Sequence, residues 1–169
     1  MEQKHLSIMI PCLAVIGGVI GWRAGLTLRA IYLVLLLAVA AIVFYVDALH
    51  RIIPNELVLA IPVLAAGFGL TGAIPFDIVS SLIGFAACFL VFFIPGVFGK
   101  KIGAGDVKLA AAMGFALGLT GSLYAVAGMG ALVLLYVLFA RGMPLAERLK
   151  STIPMGPFLA LALVVVSVI

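Results

Sequence analysis

Charge is scarce in this chain of 169 residues: Asp, Glu, Lys and Arg together make up 9%, while 66% of the residues are apolar. Soluble proteins carry roughly 25% charged and 45–50% apolar residues, and a chain this small cannot enclose so much apolar surface in a single core. A water-soluble globular fold and a disordered chain are both excluded, and the solvent for most of the surface is lipid. Cysteine is scarcer still. Cys12 and Cys88 lie inside apolar runs, far from any CxxC spacing, so neither a zinc site nor a disulfide framework is indicated, and both read as small core residues. His50 has no His or Cys partner at ligand spacing, so no metal and no other cofactor is expected. The ten Lys and Arg residues form no basic stripe with interleaved aromatics, which removes nucleic acid as the partner of the net charge of +4.

What the chain does have is glycine, nineteen in all, and long apolar runs. Small residues let membrane helices approach closely. The runs fall at about 6–22, 30–46, 56–74, 78–98, 107–119, 122–140 and 153–169. A helix that crosses the hydrocarbon core needs about 20 residues, so the expected fold is an all-α polytopic membrane protein, a bundle of six to seven transmembrane helices. The opening run has no convincing small-x-small cleavage site after it, and Trp22 with Arg23 fits an interfacial anchor, so it is read as a span and not as a signal peptide. The stretch 107–140 is broken only by Gly118-Leu-Thr-Gly121 and is expected to form a helical hairpin with a tight outer turn.

Positive charge orients the bundle. Lys4, Arg51, Lys100, Lys101, Lys108, Arg141, Arg148 and Lys150 fall on the side of the N-terminus, and only Arg23 and Arg29 on the other. The excess marks the cytoplasmic face. The N-terminus and the loops near 47–55, 99–106 and 141–152 are therefore expected in the cytoplasm, with short, nearly uncharged turns outside.

Only six carboxylates are present, and two of them, Asp47 and Asp106, fall at span ends on that same face. Burying an ionisable group in a bilayer costs roughly 2.5–3.5 kcal/mol at mid-membrane and less near the interface, so such a group usually faces protein or a water cavity and marks function. Two carboxyls in a partly dry site repel when both are ionised. One keeps its proton while the other stays charged, which supplies a general acid and a general base. The ionised member can deprotonate a water, and the protonated member can donate to the carbonyl under attack. Helix capping at the boundary would account for either Asp alone. A proton or cation pathway in a small transporter would also use intramembrane acids, although it calls for inverted repeats and acids near the midplane, and no repeat is evident.

Around the two acids, Gly103 and Gly105 lack Cβ atoms and let an extended substrate backbone come close. Pro54 is placed to bound a helix, and Asn55 is expected to cap the helix beginning at Glu56.

These residues carry a resemblance. Asp47 with Arg51, Ile53, Pro54 and Asn55, the stretch Gly103-Ala-Gly-Asp106-Val-Lys108-Leu, and Ile153-Pro154-Met-Gly156-Pro157 resemble, in that order, the three motif regions of the type IV prepilin peptidases, including the small Flp-type enzymes and the archaeal preflagellin peptidases. The matching region covers about residues 30–169. The resemblance implies a GxGD intramembrane aspartyl protease, similar in that motif to the presenilin type. Asp47 and Asp106 would be catalytic, and Gly103, Gly105, Lys108, Arg51, Pro54 and Asn55 would support the site or the approach of substrate. It implies removal of a short basic leader from a prepilin or pseudopilin, after a glycine that precedes the substrate's apolar helix, in the cytoplasmic membrane. The chain lacks the cytoplasmic insertion with paired CxxC motifs found in the large bifunctional members, so N-methylation is not expected. The domain reading that follows is an N-terminal transmembrane helix with its outer loop over 1–29 and a six-helix peptidase core over 30–169.

Other residues have structural readings. Asp77 is expected to cap the fourth span. Glu56 suits a helix first turn, although Glu56 and Glu147 could instead meet the basic leader. Lys108 reads as a snorkelling interfacial lysine or as an electrostatic support. Gly17-x-x-x-Gly21 and Gly114-x-x-x-Gly118 suit close helix packing, and Pro11, Pro62 and Pro95 are expected to kink helices.

Overall fold

A computed structural model describes residues 27–50, 52–98, 103–139 and 156–168. Among these the chain is all helical: α1 (Leu28–His50), α2 (Asn55–Leu70), α3 (Ile78–Val97), α4 (Ala104–Phe139) and α5 (Gly156–Val168). The first expected span, 6–22, lies outside the described residues.

Local chemistry sets most of the helix ends. The Thr27 hydroxyl accepts the Ala30 N–H at 3.3 Å and the Thr27 carbonyl accepts the Ile31 N–H at 3.2 Å, so α1 begins two residues before the apolar run suggests. Asp77 caps α3 as expected, its carboxylate accepting the N–H groups of Val79 at 3.3 Å and Ser80 at 3.0 Å. The apolar run at 56–74 predicts helix throughout, yet α2 stops at Leu70. Gly72 adopts φ 73°, its N–H reaches the Gly69 carbonyl at 3.0 Å, and the Ala73 N–H reaches the Phe68 carbonyl at 3.2 Å. This pair of bonds satisfies the last carbonyls of the helix and depends on a residue that accepts positive φ. Pro62 and Pro95 both sit inside helices.

The largest departure concerns 107–119 and 122–140, expected as two spans joined by a four-residue turn. Two helical segments are present, as expected, and the departure is in the junction: they meet without a four-residue turn, at a kink confined to Gly118, with φ 66° and ψ −176°. That conformation is almost confined to glycine. The break would leave backbone groups orphaned, and two serines meet them: the Ser80 hydroxyl accepts the Leu119 N–H at 3.0 Å, and Ser122 donates to the Leu119 carbonyl at 2.7 Å. Both segments of α4 enter one core, the first through Leu109, Ala110 and Met113, the second through Ala125 and Met129.

α4 packs on α3, α5 and α2, and α1 packs on α5 and α2. The crossing of α3 with α4 is the tightest. A Cβ on Gly84 would overlap the Gly114 carbonyl oxygen, and one on Gly114 would overlap the Gly84 carbonyl. The Gly114-x-x-x-Gly118 spacing is therefore a close-packing motif, with Gly84 as its partner. Cys88 is buried beside this crossing as a free thiol.

Leu36, Val43, Ile61, Leu109, Met113, Leu159 and Leu163 form the center of the core. Large apolar side chains such as Leu59, Val63, Leu82, Phe85, Val91 and Phe93 point outward, an arrangement that suits lipid and not water. Three helical stretches, Leu28–Asp47, Ile78–Val97 and Ala104–Leu135, are long and apolar enough to cross a membrane, and Asn55–Leu70 and Phe158–Val168 are shorter apolar helices. The described residues thus hold five helices and three stretches of full spanning length, fewer than the six to seven spans expected.

Candidate active site

Four helix ends meet at one end of the bundle: the C-terminal end of α1 and the N-terminal ends of α2, α4 and α5. Contacts between Asp47 and Gly156, Ile53 and Gly105, and Asn55 and Lys108 join them. The opposite end is marked by the Ser80–Leu119 bond and by the tilted pairing of Phe76 with Phe115.

Asp47 lies in the last turn of α1 and is 5% exposed, one of three buried polar residues among those described, with Ser81 and Ser122. Its carboxyl rests against Gly156, the first residue of α5. The N-terminus of a helix carries unsatisfied N–H groups and a partial positive charge, which suits an acidic side chain in that position.

Asp106 is the third residue of α4, with Gly103 immediately before the helix. The Gly103 N–H donates to the Asp106 carboxylate, and the Val107 N–H bonds the Gly103 carbonyl at 3.3 Å. This is half of a capping box, with an N3 acid reaching back to the residue that starts the helix. A Cβ on Gly103 would stand 2.9 Å from Asp106 Oδ2, so the glycine leaves room for the carboxyl to fold back.

The charge of Asp47 acts on Asp106. The two acids, nearly sixty positions apart in the chain, are thus within electrostatic reach. α2 and α5, which each pack on both α1 and α4, hold the two acid-bearing helices in this relation.

Two further contacts tie the segment 53–55 to the opening of α4. A Cβ on Gly105 would be 3.2 Å from Ile53 Cβ, so Ile53 lies directly against that glycine. Lys108 Nζ donates to Asn55 Oδ1 at 3.0 Å. The expected cap at Asn55 is therefore corrected: Pro54, extended at φ −61° and ψ 135°, precedes the helix with no side-chain cap, and Asn55 is the first helical residue. The Asn55 side chain turns to the lysine of the neighboring motif and not to its own backbone. Glu56 does lie in the first turn of α2. Lys108 is exposed, as an interfacial lysine would be, but engaged.

The type IV leader peptidase family is matched by residues 32–140. The chain belongs to the type IV leader peptidase family. No curated protein and no solved structure matches the chain. The matched region contains Asp47, Ile53, Pro54, Asn55, Gly103, Gly105, Asp106 and Lys108. Membership identifies a peptidase, a hydrolase that acts on a protein substrate in a membrane setting, and it favors hydrolysis over the transport reading.

Of the peptidase's sequence-derived candidates, Asp47, Asp106, Gly103, Gly105, Pro54, Asn55 and Lys108 gather at one end of the bundle. Arg51 lies outside the described residues. Gly156 is not among those candidates, although the Asp47 carboxyl is its neighbor. The available signal is its place in Pro154-Met-Gly156-Pro157, where a glycine beside helix-bounding prolines opens a helix. Among the described residues no group of three or more His, Cys, Asp or Glu side chains could hold a metal ion.

Proposed function

We propose that the chain is an aspartyl endopeptidase that removes the short basic leader of a prepilin or pseudopilin, with Asp47 and Asp106 activating a water between them. The observation that carries this reading is the placement of two acids from separate helices at one end of an apolar bundle, each beside a glycine that leaves room for its carboxyl. In this reading the pair holds one proton between its two members. The charged member takes a proton from water, the resulting hydroxide attacks the scissile carbonyl carbon, and the neutral member donates to the carbonyl oxygen. Collapse of the tetrahedral adduct breaks the C–N bond, with the proton passing to the leaving amine. The titration belongs to the pair as a unit.

The site end of the bundle is the cytoplasmic end, as the distribution of Lys and Arg argues, and the protein resides in the inner membrane. The two segments of α4 on either side of Gly118 act as separate spans within a peptidase core over 30–169. Gly103 and Gly105 leave room for an extended substrate strand, and Arg51, Pro54, Asn55 and Lys108 shape its approach. N-methylation of the new terminus is not part of the activity.

The test is co-expression with a tagged prepilin and with its leader-glycine mutant, scored by gel shift and terminal sequencing. Wild-type protein is expected to cleave after the glycine, and Asp47→Asn and Asp106→Asn to abolish cleavage while remaining folded. Normal cleavage by either variant would remove that Asp from the mechanism.

A further inference from the structure

Gly156 is buried and opens α5, and the space where its side chain would begin is filled by Asp47. A Cβ at this position would stand 2.5 Å from Asp47 Oδ2, 2.9 Å from Cγ and 3.2 Å from Cβ. The neighbor is an acid, as it is at Gly103, whose Cβ would meet only Asp106. Gly84 and Gly114, the other tightly packed pair, meet each other's backbone carbonyls, as a helix crossing requires. All three of the nearest atoms around Gly156 belong to the side chain of one acid. Asp is short, with its carboxyl one bond beyond Cβ, and at 5% exposure it has little free space into which to retreat. An added methyl group must therefore rotate the carboxyl or push α5 away from α1.

We propose that Gly156 is a positioning residue for Asp47: the missing side chain at the start of α5 reserves the place of the Asp47 carboxyl and so fixes its orientation toward Asp106. This rests on the two-aspartate reading of the site. It assigns to the third motif region a role in aiming the first acid, whereas Gly103 makes room for the second acid within its own helix. Any side chain at 156 displaces a group whose alignment governs the reaction in the two-aspartate reading.

Two readouts on the full-length protein in detergent test the proposal. The first is kcat and KM for the tagged prepilin. Displacing a reacting group by about 1 Å can lower the rate about 100-fold, so Gly156→Ala is expected to reduce kcat by about that factor with KM unchanged. The second is thermal melting of Gly156→Ala with and without Asp47→Ala. Melting is expected to fall in the presence of Asp47 and to recover most of that loss when the Asp47 carboxyl is removed, because the overlap is with that carboxyl. Should Gly156→Ala not fold, the double variant is expected to restore folding. Wild-type kcat in Gly156→Ala, an equal melting loss in both backgrounds, or a double variant that also fails to fold would overturn the proposal. The melting comparison does not depend on catalysis. If the Asp→Asn variants cleave normally, the two-aspartate reading fails while the competition between Gly156 and Asp47 for space is still decided.

Discussion

Lys108 donates to Asn55 at 3.0 Å across two helices, in parallel with the packing of Ile53 on Gly105. Both contacts join the segment that follows Asp47 to the segment that contains Asp106, so in the proposed mechanism they bear on the relation of the two acids more than on global stability. A hydrogen bond of this kind is worth about 0.5–1.5 kcal/mol, and the exposed position of both partners puts it at the low end. Asn55→Ala and Lys108→Ala are each expected to slow prepilin cleavage with little change in melting, and the double variant to be no slower than the worse single one, as for two members of one contact. Additive losses in a double-mutant cycle on kcat would show that they act separately. Gly105→Val is expected to be more damaging, because its branched side chain would be driven into Ile53.

At the scale of elements, the crossing of α3 and α4 and the break at Gly118 depend on a few small residues. Gly118 holds a conformation that costs any other residue about 1–3 kcal/mol, and a Cβ there would also stand 2.8 Å from the Ser80 hydroxyl. Gly118→Ala is therefore expected to lower the melting temperature clearly. Ser80→Ala, which leaves the Leu119 N–H without its acceptor, is expected to cost about 1–3 kcal/mol, the penalty for an unsatisfied group in a dry environment. Gly67 lies inside α2, and a methyl group added there would meet nothing within 4 Å, so Gly67→Ala is expected to be neutral or stabilizing through helix propensity. Thermal melting of the three variants in one detergent checks the order. The same elements show where periodicity and spacing succeed. The cap at Asp77, the first-turn Glu56 and the tight Gly114-x-x-x-Gly118 face follow from local rules that act within a turn or two of helix. The cap expected at Asn55 does not form because a partner from another helix, Lys108, outcompetes the local backbone for its side chain.

For the whole molecule, the grouping of contacts into two ends yields a topology test. With Cys12 and Cys88 replaced by Ala, single cysteines at exposed Glu56 and exposed Thr71 bracket α2. A membrane-impermeant thiol reagent is expected to label them from opposite sides, with Glu56→Cys reached from the cytoplasm. Labeling of both from one side would refute the transmembrane placement of α2. The sequence by itself determined that this is a helical membrane protein and which motifs surround Asp47 and Asp106, because composition, hydropathy and short motifs are properties of contiguous residues. Only the tertiary structure decided that the segments on either side of Gly118 meet at a one-residue kink, that Asn55 serves Lys108 and that Gly156 makes room for Asp47. Each of those outcomes is a contest for space or for a hydrogen-bond partner between residues far apart in the chain, and it is resolved only when helix packing brings them together.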